Sequence, residues 1–408
     1  MKNYLKYPER LQIWKALKKL EKTIWRKRQG FAVWKENTGE EFMDNHEERE
    51  YLYWLCHVPV LGAVSIKKLY DYTGSYKKIY NIEGKELQQL GLLKQSDVSV
   101  FEESKSRKDN YNRELAELKH QGINFITPND SRYPRRLLEI YGYPMGIFFK
   151  GRLPDEGRPS AAIIGARNCT NYGKQMASYL ARELSLSGIQ IISGLACGID
   201  GAGHKGALEA GGDTFGILGC GINICYPREN YGLFEQMQER GGVITEFVPD
   251  EAPKPRNFPM RNRIISGLSD VILVIEAREK SGSLITANLG LEQGKEIFAL
   301  PGRVTDPLSA GCNQLISAGA EVILNPDSVL EYFKLQNGKI LRVHEKNKNG
   351  LAKKEKMVYS CLDLQPKNLE EIVSLSGLSV SECMSALIEL ELSGLILQTS
   401  HHYYGKKL

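Results

Sequence analysis

Between residues 161 and 333 the chain alternates short, unbroken apolar runs with longer stretches in which apolar residues return every three or four positions. The runs at 161–164, 189–193, 214–219, 243–245, 271–275, 297–300 and 322–324 read as strands. A strand with no polar alternation is covered on both faces, as in a parallel sheet, and the helical stretches between the runs supply the crossovers. The pattern predicts an α/β fold: an extended Rossmann-like, doubly wound, mostly parallel sheet.

The flanking regions follow other patterns. Residues 44–127 read as helical, punctuated by Leu61-Gly62, Thr73-Gly74-Ser75 and Gly91-Leu92-Leu93, which suggests a small helical module of the SAM-like or helix-hairpin-helix kind. Its glycines serve equally as helix C-caps or as loops that grip phosphate, and packing is the reading preferred here. Residues 128–333 form the Rossmann-like domain, entered through Tyr133-Pro134 and Tyr143-Pro144. Residues 334–356 are polar and lysine-rich, a linker by composition. Residues 357–408 read as three short helices followed by a hairpin from 395–399 into 401–404, the outline of a winged helix. Residues 1–43 form a basic extension with Leu11, Trp14, Leu17 and Leu20 near helical spacing. It is either an amphipathic contact helix or an unpacked extension, and a start at Met43 would remove most of it.

Composition narrows the class. Of 408 residues 42% are hydrophobic, ordinary for a globular protein with two or three domains. No apolar run approaches the roughly 20 residues that span a bilayer, and no signal-peptide pattern is visible, so a cytoplasmic location without membrane contact is expected. The eight cysteines include no CxxC pair, the nearest being Cys220 and Cys225, so reduced thiols and no metal site are expected. A net charge of +5 permits an anionic partner without requiring one.

Candidate chemistry collects after the strands, where open α/β sheets bind ligands. The first strand is followed by Gly165-Ala166-Arg167, then Tyr172-Gly173 opening a helix. Gly165 allows close backbone approach, Arg167 offers a fork of donors, and the helix start offers free amides for a phosphate. Ser193 and Gly194 after the second strand make another possible anion cradle. There Asp200 is placed to cap the next helix, and His204 reads as a packed, hydrogen-bonded histidine. The stretch after the fourth strand holds Lys254, Arg256, Phe258, Arg261, Asn262 and Arg263: cations to track a phosphate backbone and a ring on which a base can stack. After the fifth strand, Lys280, Ser281, Gly282 and Ser283 open another helix. The first loop lacks GxGxxG, no Walker lysine follows a glycine loop, and Glu246 and Glu276 are not joined by spacing to a base or a metal set. No catalytic residue and no cofactor are therefore assigned.

These segments resemble one family. Gly165-Ala166-Arg167 with Tyr172-Gly173, the run Ser193 to Asp200, Tyr226-Pro227, the run Phe258 to Ser269, Lys280-Ser281-Gly282-Ser283-Leu284-Ile285-Thr286-Ala287 and Gly311-Cys312-Asn313 are similar, in this order, to the DNA-processing protein A family, DprA/Smf. The resemblance covers roughly residues 44–333. It implies a non-enzymatic, homodimeric protein that binds single-stranded DNA and loads the RecA recombinase on DNA taken up in natural transformation. By the same resemblance Arg167 holds a phosphate, Phe258 faces a base, Arg261, Asn262 and Arg263 shape the groove, and Lys254 or Arg256 adds a phosphate contact. Thr170 stands where the family often has serine, which keeps the hydroxyl, and Gly203 stands where alanine is common. The alternative is a nucleotide hydrolase or phosphoribohydrolase on a related fold. Such enzymes carry a PGGxGTxxE-like stretch, to which Pro301-Gly302-Arg303 is the nearest approach. A duplex-reading regulator would rest on the winged helix alone. The third helix there, near 381–393, holds Glu382, Glu389 and Glu391 and no cation, which opposes contact with paired phosphates.

Overall fold

The computed structural model describes residues 46–337, 353–363, 366–400 and 402–406. The basic extension 1–43 and most of the linker 334–356 lie outside them. Seven parallel strands form the centre of a nine-stranded sheet: β3 (Ser160–Ile164), β4 (Gln190–Ser193), β5 (Thr214–Ile217), β6 (Gly241–Thr245), β7 (Val271–Val274), β8 (Glu296–Ala299) and β9 (Glu321–Val322). Their order is β6-β5-β4-β3-β7-β8-β9, so the winding reverses beside β3 and the sheet is doubly wound. The residues of β3, β4, β5, β6 and β7 are all buried, because helices cover both faces, and this is why their runs show no alternation.

Two further strands were not legible in the pattern. β1 (Asn124–Ile126) pairs antiparallel with β2 (Ile147–Gly151), and β2 pairs antiparallel with β6, Phe148 opposite Thr245. β1 offers two apolar residues and β2 three, and both pair antiparallel, outside the alternation of parallel strands and crossover helices. They change the expected boundary at residue 127: β1 already belongs to the sheet, and the helical region shares its core. Tyr53, on the helix His46–Cys56, is fully buried and meets Phe125 and Phe148 edge-on at 5.2 and 5.9 Å between ring centroids. Trp54 of the same helix joins Leu69, Ile79, Leu87 and Phe101 of the following helices in a second cluster, its Nε1 donating to the Ser104 carbonyl at 3.0 Å.

Residues 343–408 form a separate compact unit. Helices Lys353–Cys361, Leu369–Ser376 and Val380–Leu392 precede β11 (Ile396–Ser400) and β12 (Tyr403–Lys406), and β10 (Lys367–Asn368) pairs with β12. Asn368 and Ser379 each close a capping box, with Glu371 and Glu382, and Gly377 ends the second helix at φ 67°. The second and third helices meet at 107°, the helix-turn-helix arrangement of a winged helix. Among the described residues no single helix is long and apolar enough to cross a membrane, and no group of three or more His, Cys, Asp or Glu is placed to hold a metal ion.

Candidate nucleic-acid interface

The winding reverses between β3 and β7, and there the chain fills its own anion site. Thr170 caps the helix Asn171–Leu186, its Oγ1 accepting from Gly173 N at 3.0 Å. The Thr170 amide donates to Glu276 Oε2 at 2.9 Å, and the Thr170 hydroxyl donates to Glu276 Oε1. A Cβ on Gly173 would meet this carboxylate at 2.5–2.7 Å, so only glycine lets the acid in. Glu276 is 4% exposed. A helix start that would otherwise attract a phosphate is therefore occupied. Gly165 likewise serves packing rather than anion approach: a Cβ there would press on Ile199 Cγ1 at 2.6 Å and the Glu276 carbonyl at 2.9 Å.

The loop after β4 is also closed. The Ser193 hydroxyl is buried and donates to the Ile163 carbonyl, binding β4 to β3. The Gly194 amide donates to Asp200 Oδ2 at 3.1 Å, so Asp200 folds back on this loop instead of capping the following helix, whose N-cap Gly198 receives no side-chain bond. Burial pushes the Asp200 carboxyl up, while Arg261 holds it down. Arg261 itself is 3% exposed. Its Nη1 donates to the Gly194 carbonyl at 2.7 Å and to the Ile217 carbonyl, and its Nε donates to Asn262 Oδ1 at 3.1 Å. Burial brings this guanidinium down to about 10, with Asp200 opposing. Neither Ser193 nor Arg261 is open to a ligand, because each is consumed in tying strand ends together. His204 is fully buried, with Nδ1 2.7 Å from Thr214 Oγ1, as a packed histidine should be.

Above this floor stands the cation–ring cluster. Helix Asn257–Leu268 starts after the Lys254–Arg256 loop and presents Phe258. Arg167 is exposed, with Cζ 5.2 Å from the Phe258 ring centroid, and buried Arg261 lies 5.9 Å from the same ring. The ring rests on Gly219, where a Cβ would come within 2.7 Å of Phe258 Cδ1. Tyr226 lies 5.6 Å away, tilted by 45°. Sequence reasoning assigned no role to Gly219 or Tyr226. The only signal for Gly219 was its place at the end of a strand, and Tyr226 had its place after the third strand.

The other expected residues divide. Arg256 is exposed, and Lys254 is exposed but sits 2.6 Å from Glu251. Lys280 and Gly282 are exposed at the start of helix Gly282–Glu292, where Ser281 and Ser283 hydroxyls lie 2.7 Å apart. A cavity of about 440 Å³ opens there, lined in part by Lys280, Gly282, Ile285 and Asn288. Arg263 departs from expectation. Five residues beyond Phe258 on a helix, it points well away from that ring. It pairs bidentately with Glu246 and donates to the Gly142 carbonyl at 2.8 Å and the Met260 carbonyl at 2.6 Å, tethering the helix to the segment before β2. The structure thus gathers Arg167, Phe258, Arg261 and Gly194, sets Arg256, Lys254 and Lys280 along the same strand-end edge, and separates Arg263.

A doubly wound sheet with cations and rings at its strand ends, and a winged helix following, defines a Rossmann-like α/β protein with a C-terminal winged-helix unit. The chain belongs to the DNA recombination-mediator protein A family, whose model matches residues 124–334, and the DprA winged helix domain model matches residues 344–400. It is 44% identical to the DNA processing protein DprA of Bacillus subtilis over 221 residues, covering 54% of this chain and 74% of that one. It is 30% identical to Protein Smf of Synechocystis over 402 residues, covering 90% of this chain and all of that one. The X-ray structure of DprA from Streptococcus pneumoniae superimposes with a TM-score of 0.61 at 32% identity, covering 69% of this chain and 97% of that one.

Proposed function

We propose that this protein binds single-stranded DNA along the carboxyl edge of β3–β7, without chemistry on the strand, and that as a homodimer it loads RecA recombinase on DNA taken up in natural transformation. The observation that carries the DNA reading is the exposed Arg167 guanidinium seated against Phe258 beside Tyr226. A ring face accepts any unpaired base, and a fixed guanidinium accepts a phosphate, so the cluster suits a strand of any sequence whose bases are free. Arg256, Lys254 and Lys280 continue the positive edge. Met260 and Ile285, exposed on two helices that pack together, offer apolar surface that pairing of two copies would cover. The reading is tested by comparing single- and double-stranded oligonucleotides over a salt series. Preference for the single strand with affinity falling as salt rises supports it, and equal or salt-independent binding refutes it. Light scattering tests the dimer, and RecA filament assembly on strands coated by a single-strand-binding protein tests loading.

A nucleotide hydrolase or phosphoribohydrolase of related fold would seat its substrate phosphate at the helix start after β3. Glu276 holds the Thr170 amide and hydroxyl there, which counts against that reading. Absence of released base from nucleoside monophosphates is the expected result.

A further inference from the structure

We propose that the ring on which an unpaired base stacks is Tyr226, and that Phe258 is the pedestal holding Arg167 and Tyr226 in register. This rests on the reading that the strand-end edge binds single-stranded DNA. Phe258 is already engaged on several sides. Arg167 stands over the ring at 5.2 Å, Arg261 at 5.9 Å, and the Gly219 backbone lies against its edge. The ring is half-buried, and Arg167, the group suited to hold the neighbouring phosphate, already stands over it. Tyr226 carries no such burden. It is 44% exposed, its ring packs against Phe258, and no described cation stands over it.

The loop that presents Tyr226 is anchored at both ends. Ile224 N donates to the Gly221 carbonyl at 3.0 Å, and Gly221 N donates to the Glu251 carbonyl at 2.8 Å. On the other side Asn230 Nδ2 donates to the carbonyls of Leu195 and Ala196, both at 3.0 Å, tying this loop to the loop after β4. Leu195 is held at φ 53°, an unusual conformation for a branched residue, which places those carbonyls where Asn230 meets them. A platform held in place before binding loses little freedom when a base arrives. Other exposed tyrosines of this region, Tyr172 and Tyr231, have no ring contact with the Arg167–Phe258 pair. Arg167 and Tyr226 both pack against Phe258, so a phosphate and the adjoining base fall to two different residues of one cluster.

The test compares a fluorescent 15-mer of thymidylate with a 15-mer of the same backbone whose sugars are abasic, so that charge is constant and only the bases differ. Anisotropy titrations use the full chain as wild type, Tyr226→Ala and Tyr226→Phe, at two salt concentrations, with melting temperature as the fold control. The wild type should prefer the thymidylate strand by about tenfold or more. Tyr226→Ala should weaken binding to thymidylate by about tenfold while its affinity for the abasic strand and its salt dependence stay at the wild-type values. Tyr226→Phe should retain the preference. A wild-type preference preserved in Tyr226→Ala, equal weakening on both strands, or a wild type that binds both strands alike each overturns the assignment to Tyr226 and leaves single-strand binding standing. A wild type that binds neither strand overturns the functional reading and this inference together.

Discussion

Arg167 and Arg263 carry the same guanidinium into different surroundings, and substitution should separate them. Arg167 is exposed, with its guanidinium against the Phe258 ring, so Arg167→Ala should leave the melting temperature nearly unchanged. A charge-assisted contact contributes roughly 1.5–3 kcal/mol, so anisotropy should report an affinity for thymidylate strands lowered by at least about tenfold. Arg263→Ala strands the Glu246 carboxylate, whose side chain is 10% exposed. Removing one partner of a buried pair costs about 3–5 kcal/mol, so this variant should show a marked fall in the unfolding midpoint, with weaker DNA binding following from the looser fold. His204 gives a pH signature. Burial depresses its imidazole from 6.5 to about 3, so the folded state keeps it neutral where the unfolded chain protonates it. Below pH 6.5 the unfolded state binds the extra proton, and stability falls as pH falls towards 3, by roughly 2 kcal/mol at pH 5. Urea melts at pH 7 and 5 should show that loss in the wild type, and His204→Gln should abolish most of the pH difference.

Among the elements, the loops after the strands carry the binding reading, and glycines decide what each can hold. Gly219 leaves room for Phe258, so Gly219→Ala should push the ring off its seat, disturb Arg167, and lower thymidylate affinity without abolishing the sheet, as judged by anisotropy beside far-ultraviolet circular dichroism. Gly173 leaves room for Glu276. The central strands were legible because they are buried on both faces and recur as short apolar runs alternating with helical stretches. β1 and β2 were not, because they lie outside the alternation of parallel strands and crossover helices and join the sheet through antiparallel pairing, β1 with β2 and β2 with β6. The three short helices and the hairpin of the winged helix were legible in the sequence, and the structure adds the capping boxes that bound two of them. The outer face of Val380–Leu392 exposes Ser385, Ile388, Glu389 and Leu392, so the absence of cations noticed in the sequence extends to its solvent face.

At the scale of the molecule the proposed binding edge is electrostatic, and its strength should follow the number of phosphates neutralised. Arg167, Arg256 and Lys280 are exposed, and Lys254 is shared with Glu251. For single strands each neutralised phosphate contributes about 0.7 to the slope of log affinity against log salt. Three to four contacts give a slope of roughly −2 to −3. Replacing Arg256 and Lys280 by alanine together should reduce its magnitude by about 1.4, and an unchanged slope would remove these residues from the path of the strand. The helical region and the sheet share aromatic contacts around Tyr53, so residues 46–337 form a single body behind this edge, and the described part of the helical region is no free-standing module.

By itself the amino-acid order determined the central parallel strands, the family resemblance and the set of cations and rings at their ends, because burial period and residue chemistry are local properties of the chain. It did not determine which of those residues remain open. Arg261 and Arg263 look alike beside Arg256 in the sequence, yet the first is spent on carbonyls at the ends of β4 and β5, and the second on Glu246. Ser193 and the helix start after β3 look like anion cradles until β3 supplies an acceptor carbonyl and β7 delivers Glu276. Hydrogen-bonding capacity is consumed by partners far away in the chain, and only the tertiary fold brings those partners near.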